Sequence, residues 1–261
     1  RNEVRWGGSQ TAADGGLDVV VEPLGPFTVA GPLARSDVGI QVKAADYAPA
    51  AITAEMRYGG SLRPSISLLA GKSGAYIIAS AGANCSEAML QRRINAMRDA
   101  VADDPNGSAL DLVFLDRMAI SRWVSAHPSV AAWLRPRLTL PTLQGWQTFG
   151  RWSSTPADAS DDLICEEGLA FYLERREPIR ALPEAIDEIR RLVRNGTGAV
   201  RIAGLSGIGK SRIVQALFEP VGDETALATS HAVYTDLGHS PDPSPMAMLE
   251  ALIEGDSPAI L

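Results

Sequence analysis

Residues Gly204–Ser211 read Gly-Leu-Ser-Gly-Ile-Gly-Lys-Ser, a complete match to the G-x-x-x-x-G-K-[ST] pattern of a phosphate-binding loop. In such a loop the glycines let backbone N–H groups converge on phosphate oxygens, and the N-terminus of the following helix adds partial positive charge. The pattern predicts that Lys210 reaches the β- and γ-phosphates of ATP and that the Ser211 hydroxyl binds its Mg²⁺. The residues expected to contact the nucleotide are Gly204, Gly207, Ile208, Gly209, Lys210, Ser211 and Arg212.

The segments around this loop have the periodicities of an α/β protein. Residues 200–203 are a short apolar run that predicts a buried strand, and residues 210–218 have the spacing of an amphipathic helix. Helices are also predicted over residues 182–193 and 244–253, and a strand over residues 231–236. The order strand, glycine loop, helix is what phosphate binding requires. The alternative interpretation is an ordinary glycine-rich turn with a chance Lys-Ser pair.

The chain uses lysine very sparingly. Of its 24 basic residues only three are lysines, namely Lys43, Lys72 and Lys210. Lysine is a compact point charge that arginine does not replace well, so the two lysines outside the phosphate-binding loop are candidate functional residues. Lys72 lies in the segment Gly71-Lys72-Ser73-Gly74, where it is either a contact to a DNA phosphate or an ordinary solvated loop residue.

Lys43 follows the second of two predicted strands, over residues 17–22 and 38–42. Because side chains alternate along a strand, Gln41 and Lys43 share one face, and we expect Ile40 and Val42 to face the other way into a core. If the two strands form a hairpin, Asp18 converges with Gln41 and Lys43 at one edge of the sheet.

This trio of side chains suits metal-assisted phosphodiester cleavage. The Asp18 carboxylate and the Gln41 carbonyl oxygen would hold Mg²⁺, a hard cation that prefers oxygen ligands. Lys43 would orient or deprotonate the attacking water and stabilise the developing charge. The alternative is an exposed strand face beside a turn aspartate.

The remaining composition indicates a cytoplasmic protein. The 261 residues are 46% apolar with a net charge of −7, which allows one large or two ordinary domains. We expect no signal peptide, and no run approaches the ~18 apolar residues that span a bilayer. Two cysteines, Cys85 and Cys165, are too few for a disulfide framework. The three histidines share no spacing, so we expect none of them to be catalytic.

The segment Asp14-Gly15-Gly16-Leu17-Asp18, a strand and then Gln41-Val42-Lys43 resemble the Mrr-type branch of the PD-(D/E)xK nucleases. In that branch glutamine often replaces the acidic residue two positions before the lysine. The resemblance implies double-stranded DNA as substrate and Asp18, Gln41 and Lys43 as the active-site residues. The family usually has a further acidic residue on a preceding helix, which this sequence lacks. Glu3 or, less well, Glu22 is the candidate replacement.

The C-terminal part resembles the STAND class of signal-transduction ATPases, through Arg175-Arg176-Glu177, the helix at 182–193 and the phosphate-binding loop. A nuclease ahead of such an ATPase resembles the bacterial antiviral STAND proteins. The resemblance implies activation by a phage protein through a C-terminal sensor, and a tetramer-like homo-oligomer when active. The sensor and the Walker B acidic residues are expected beyond Leu261, in a longer protein of which this sequence is a fragment.

The sequence therefore predicts an α/β chain with a restriction-endonuclease-like mixed-sheet domain and the start of a P-loop NTPase domain. We expect the nuclease domain over residues 1–135, a linker over 136–178 and the NTPase part over 179–261. The expected function is an ATP-gated, Mg²⁺-dependent DNA endonuclease of an antiviral defence system. Two alternatives stay open: a nucleotide-dependent restriction enzyme acting on modified DNA, and a STAND-type regulator whose nuclease-like domain does not cut.

Overall fold

The structure is a computed structural model that divides into two compact units, Arg1–Trp123 and Val124–Leu261. It describes residues 2–6, 15–23, 33, 35–138, 140, 143–148, 170–172, 178–179, 181–194, 199–217, 231–254 and 259–260. Both helices and strands occur in each unit, in agreement with the predicted α/β class. The expected domain boundaries at residues 135 and 178 stay predictions.

A five-stranded mixed sheet forms the centre of the first unit. Its strands are β1 (Asn2–Trp6), β2 (Val19–Pro23), β3 (Val38–Lys43), β6 (Ala75–Ser80) and β7 (Asp111–Leu115), in the order β1-β2-β3-β6-β7. The first three strands pair antiparallel, whereas β3, β6 and β7 are parallel. A separate two-stranded hairpin consists of β4 (Arg57–Tyr58) and β5 (Ser61–Leu62). The carboxyl ends of the parallel strands therefore meet at one edge of the sheet.

Helices cover both faces of this sheet. They are α1 (Pro49–Met56), α2 (Pro64–Gly71), α3 (Glu87–Val101) and α4 (Arg117–Ser125), with a short 3-10 turn at Gly107–Ala109. Proline in the first turn of α1 and of α2 fits a position whose N–H has no partner within the helix. The side chain of Ser86 caps α3 by accepting from the Met89 N–H.

Two hydrophobic clusters hold the layers together. Along β6 the side chains alternate, so Tyr76 and Ile78 pack with α1, α2 and α3, whereas Ala75 and Ile77 pack on the opposite face near α4. This two-sided burial explains the nearly continuous apolar run of β6. The strand predicted at residues 38–42 is confirmed to within a residue, and the one predicted at 17–22 begins at Val19.

One expected core residue is exposed. Ile40 lies in the cluster near α4, as predicted, but Val42 is 53% exposed. The pairing of β2 with β3 ends at Ile40, so among the described residues Val42 is paired with a strand only on its other side, with Ala79 of β6. Gln41, on the other face, is buried instead.

The second unit is built around helix α6 (Leu182–Arg194) and helix α7 (Lys210–Leu217). Its other elements are α5 (Pro128–Leu134), β8 (Trp146–Thr148), β9 (Val233–Thr235), α8 (Pro245–Glu254) and 3-10 turns at Arg135–Leu138 and Leu237–His239. Strands β8 and β9 pair antiparallel. In the core, α6 and α7 pack together with Ala232, Ile202 and Ile260. Among the described residues of this unit the parallel pairing is the single bridge between Ala232 and Ile260.

The strand expected before the phosphate-binding loop is not formed. Residues 200–203 have no bridge partner in the described part of the chain, and Val200 is exposed, although Ile202 contacts the core. A strand needs a neighbour for its N–H and C=O groups, and the described residues supply none here. The helix predicted at 210–218 is confirmed to Leu217. Asp14, Cys165, Arg175-Arg176-Glu177 and Phe218 lie outside the described residues.

The C-terminal end of α7 depends on one arginine of α6. The Arg190 guanidinium donates to the carbonyl oxygens of Ala216 and Leu217, each at 2.9 Å. These carbonyls end a helix and have no partner within it. We expect Arg190→Met to destabilise the second unit by about 1–3 kcal/mol, because both carbonyls lose a charged donor.

The measurement is urea unfolding of the full chain, with hydrogen exchange of peptides covering Lys210–Leu217. Arg191→Met is the matched control, because Arg191 is exposed and pairs within its own helix with Glu188. That change is expected to leave the urea midpoint of unfolding unchanged. Equal effects of the two substitutions would contradict the capping role.

Candidate functional site

A glycine turn places the first candidate residue. Gly15 and Gly16 have φ angles of +69° and +87°, a region that glycine adopts without strain. The Ser65 hydroxyl at the start of α2 donates to the Gly15 carbonyl oxygen. A Cβ atom on Gly16 would lie 2.7 Å from Cδ of Arg63. The turn is therefore held tightly against the residues that begin α2, and Asp18 follows two residues later.

Asp18 is bound to β3 on either side of Gln41. Its backbone N–H donates to the Ile40 carbonyl oxygen at 2.9 Å, and its Oδ2 accepts from the Val42 N–H at 2.6 Å. The hairpin expected from the sequence is confirmed by the antiparallel pairing of β2 with β3. The Asp18 carboxylate consequently lies at the carboxyl end of β3, the strand that also carries Gln41 and Lys43.

Gln41 presents a buried oxygen to the same region. The residue is 3% exposed, and its Oε1 has no hydrogen-bond partner among the described residues. The hydroxyl of Tyr76, on the same sheet face, likewise lacks a partner within the described part of the chain, and burial raises its pKa. A buried polar atom without a partner is unfavourable unless water, an ion or a ligand satisfies it. The amide oxygen thus fits a hard cation.

The set of possible metal ligands is small. Within the described ranges no group of three or more His, Cys, Asp and Glu side chains could hold a metal ion. Mg²⁺ at this place would therefore be held by the Asp18 carboxylate, the Gln41 amide oxygen and water. Mg²⁺ commonly keeps several waters and takes one or two carboxylates, so the residues present fit it.

Lys43 does not lie alone at the strand end. Its Nζ is 3.1 Å from Oε2 of Glu55 in α1, and it lies 5.3 Å from the ring centroid of Tyr47. The Tyr47 hydroxyl donates to the same Oε2 at 2.7 Å. Glu55 was not identified from the sequence as a site residue. The feature that could have indicated it is that Glu55 is the one charged side chain in the helix Pro-Ala-Ala-Ile-Thr-Ala-Glu-Met.

The loop between β3 and α1 is clamped from two sides. Arg93, a buried residue of α3, donates to the Tyr47 carbonyl oxygen at 2.9 Å and to Oδ1 of Asp46 at 2.6 Å. The Ser80 hydroxyl accepts from the Tyr47 N–H and donates to the Ala45 carbonyl oxygen. These bonds fix the loop directly after Lys43, so that the backbone on both sides of the lysine is ordered.

The loop between β3 and α1 also lies directly against Gly82. A Cβ atom on Gly82 would lie 1.9 Å from the backbone N of Asp46 and 2.1 Å from the backbone C of Ala45. Such distances are not found between real Cβ atoms and backbone, and no flexible side chain is there to move away. Gly82, which follows β6, therefore sets how closely the loop approaches the sheet.

The other acidic and basic candidates of this unit lie at the opposite end of the sheet. Lys72 forms ion pairs with Asp37 at 2.8 Å and Glu22 at 3.1 Å, and the hydrogen bonds that it donates to these two carboxylates raise its pKa. Its side chain is 39% exposed, so it is an exposed lysine with two carboxylate partners, and the contact to a DNA phosphate stays a prediction. Glu22 also pairs with Arg5. Glu3 is the register partner of Glu22 in the β1–β2 pair. Both glutamates considered for the missing acidic residue therefore lie at the end of the sheet away from Gln41 and Lys43.

The glycine loop at residues 204–211 has left-handed backbone at two of its glycines. Gly207 and Gly209 have φ angles of +79° and +85°, which side-chain-bearing residues rarely adopt. The Lys210 ammonium donates to the carbonyl oxygens of Gly204 at 3.0 Å and Leu205 at 2.7 Å. Residues 203–209 are exposed, and Ser211 and Arg212 lie in the first turn of α7. A phosphate bound here would replace the carbonyls as the partner of Lys210.

Two of the histidines meet in the second unit although they are far apart in the sequence. The rings of His127 and His231 have centroids 5.0 Å apart in an edge-to-face arrangement. Burial and the neighbouring His231 lower the pKa of His127. The low pKa favours the neutral ring near pH 7, and we assign the pair no chemical role.

Gly16 and Gly60 allow the close approach of the glycine turn to be tested. Both have strongly positive φ angles, +87° and +84°, but nothing lies within 4 Å of a Cβ placed on Gly60. Gly60→Ala is expected to cost about 1–2 kcal/mol from the backbone conformation alone. Gly16→Ala should cost about 1–3 kcal/mol more, because its Cβ overlaps Arg63.

Urea unfolding of the full chain measures both changes, with hydrogen exchange of peptides from residues 35–80 as the local readout. Equal destabilisation by the two substitutions would show that the contact with Arg63 does not hold the turn.

The described helices include none that is long and apolar enough to cross a membrane. No family model, no curated protein and no solved structure matches this chain. What its two candidate sites can do is therefore inferred from the contacts of their own residues.

Proposed function

We propose that the chain combines a Mg²⁺-dependent DNA endonuclease in its first unit with an ATP-binding switch in its second. The observation that carries this proposal is the convergence of Asp18, Gln41 and Lys43 at the carboxyl end of β3. There the carboxylate is bound across the strand, the amide oxygen is buried without a described partner, and the lysine lies on the same face. A carboxylate, a neutral oxygen ligand and a cation are what hydrolysis of a phosphodiester requires.

The sheet supports a restriction-endonuclease-like fold for this unit. An antiparallel β2–β3 hairpin leads through α1 and α2 to a strand parallel to β3. That crossover follows Lys43 directly, as the resemblance to Mrr-type nucleases implies. The site lies at the open carboxyl edge of the parallel strands, which is where α/β sheets commonly bind ligands.

Each side chain has a distinct part in the proposed reaction. Asp18 and Gln41 would hold the metal, and Mg²⁺ when bound supplies a Lewis acid that polarises the phosphate and activates water. Lys43 would orient the attacking water and stabilise the negative charge that develops on the phosphate oxygens. The clamped loop after Lys43 would hold the ammonium in a fixed place. Such positioning of a catalytic group raises the rate of the chemical step.

The second unit would bind ATP and Mg²⁺ at the glycine loop. Positive φ at Gly207 and Gly209 turns the loop toward the N-terminus of α7, which favours an anion. Lys210 and Ser211 would contact the phosphates and the nucleotide Mg²⁺. The packing of Ile202, Ala232 and Ile260 around α6 and α7 supports the beginning of a P-loop NTPase fold of the STAND type.

The biological setting follows from the resemblance to antiviral STAND proteins. We propose that a phage protein, recognised by a sensor outside this sequence, triggers assembly of a tetramer-like homo-oligomer in the cytoplasm. ATP at the second unit would support the assembled state, and the nuclease units would then cut double-stranded DNA.

Lys43→Met tests the nuclease directly. We expect it to lower plasmid cleavage at least about 100-fold, because the charge-stabilising cation is lost. Lys72→Met is the matched control, because Lys72 is paired with Glu22 and Asp37 at the far end of the sheet, and its cleavage should be unchanged. The assay uses the full-length protein with Mg²⁺, ATP and lysate from phage-infected or mock-infected cells.

The outcomes separate the candidate functions. Cleavage that needs infected lysate and is lost in Lys43→Met supports the defence nuclease. Cleavage that needs modified DNA rather than infection would indicate the restriction enzyme instead. Absence of cleavage under every condition, with ATP still bound, would overturn the nuclease and leave the non-cleaving regulator.

Lys210→Ala tests the switch. We expect ATP affinity to fall by more than about tenfold, because the one side-chain cation of the loop pattern is removed. Binding of a fluorescent ATP analogue to the full-length protein measures this. Lys210 donates to the loop carbonyls, so circular dichroism of the variant must also show that the fold is retained. Unchanged nucleotide affinity in a folded variant would contradict the assignment.

A further inference from the structure

We infer that Glu55 is a positioning residue that holds Lys43 in the candidate nuclease site. The inference rests on the proposed function only in calling the site a nuclease; the contact itself is independent of it. Glu55 Oε2 is 3.1 Å from Nζ of Lys43 and accepts a hydrogen bond of 2.7 Å from the Tyr47 hydroxyl. No sequence pattern pointed to this residue.

The Lys43–Glu55 pair is better shielded from water than an ordinary surface ion pair. The two side chains are 22% and 15% exposed, whereas the Arg5–Glu22 pair is 59% and 31% exposed. Shielding lowers the local dielectric and strengthens the attraction, so this pair differs from the exposed pairs that contribute little. The cation–π contact with Tyr47 adds to the same arrangement.

Glu55 is itself fixed by its helix. Ile52 and Met56, on either side of it in α1, are fully buried, so the helix cannot rotate freely. The Glu55 carbonyl oxygen accepts from Nε of Arg63, and Arg63 is the residue against which Gly16 packs. A continuous series of contacts therefore runs from the turn before Asp18, through Arg63 and Glu55, to Lys43. Helix α1 and the start of α2 together position the two halves of the site.

Tyr47 holds the same carboxylate oxygen of Glu55 that pairs with Lys43. Its backbone is bound by Arg93 and Ser80, and its hydroxyl donates to Glu55. Burial and the hydrogen bond to Glu55 raise the pKa of Tyr47 to about 12. The phenol therefore stays protonated, and remains a donor to the carboxylate, across the working pH range of any enzyme near neutrality.

The test compares wild type with Glu55→Gln and, as a matched control, Glu87→Gln, an exposed residue at the start of α3. The full chain is acetylated with a limiting reagent, and the rate at each lysine is followed by mass spectrometry. The chain has three lysines, so Lys72 and Lys210 serve as internal references. We expect acetylation of Lys43 to rise about two- to fivefold in Glu55→Gln, because its ammonium is released from the ion pair, with Lys72 and Lys210 unchanged and Glu87→Gln like wild type.

Two further readouts distinguish positioning from mere structural support. The absorbance titration of tyrosine, with Tyr47→Phe to identify the signal, should show the pKa of Tyr47 falling from about 12 toward its ordinary value. In the cleavage assay kcat should fall while the KM for plasmid DNA is unchanged, because the lysine is misplaced and DNA binding is not.

Unchanged acetylation of Lys43 in Glu55→Gln would overturn the inference. Metal binding is measured with Mn²⁺ in place of Mg²⁺. If Glu55→Gln loses Mn²⁺ binding while Lys43 acetylation is unchanged, Glu55 is a metal ligand and the inference is overturned. If Glu55→Gln does not fold, Tyr47→Phe keeps the carboxylate but removes its second anchor and should raise Lys43 acetylation by about twofold; no rise would overturn it. Absence of cleavage by wild type would reject the proposed nuclease, while acetylation would still decide whether Glu55 holds Lys43.

Discussion

The candidate nuclease site depends on how the β2–β3 ladder ends. Strand pairing stops at Ile40. Two residues further along β3, the Val42 N–H donates to the Asp18 carboxylate and not to a backbone carbonyl. A side chain thus replaces the next bond of the ladder. This substitution leaves the Asp18 carboxylate at the end of β3 that also carries Gln41 and Lys43. The glycine turn, the clamped loop and helix α1 all position groups around this one point.

The central strands and the trio at the sheet edge were predictable because local sequence determines them. β-branched and apolar runs specify buried strands, alternation places Gln41 and Lys43 on one face, and a Gly-Gly turn specifies a sharp entry before Asp18. The helix after the glycine loop was predictable for a similar reason, since its apolar spacing is local to residues 210–217; phosphate binding at that loop stays a prediction. In each of these cases the contacts that matter lie within a few residues or between paired strands.

The misplaced expectations involve contacts between distant segments. Nothing local shows that Lys72 meets Asp37 and Glu22, because α2 and the β2–β3 hairpin come together only after folding. Glu55 was missed for the same reason. It is a single charged residue in a short apolar helix, and its contacts with Lys43 and Tyr47 form only when the chain folds. The strand expected at residues 200–203 failed for the converse reason, since an apolar run becomes a strand only where another strand pairs with it.

Gly82 has a consequence for the length of the chain around the site. Because the backbone of Ala45 and Asp46 lies against it, the loop after Lys43 has no room to gain a residue without moving off the sheet. The eleven residues between Lys43 and Glu55 are therefore a fixed spacing. Insertions and deletions in related chains should fall outside this interval. Lys43, Glu55 and Gly82 are thus tied together by backbone contact rather than by closeness in the sequence.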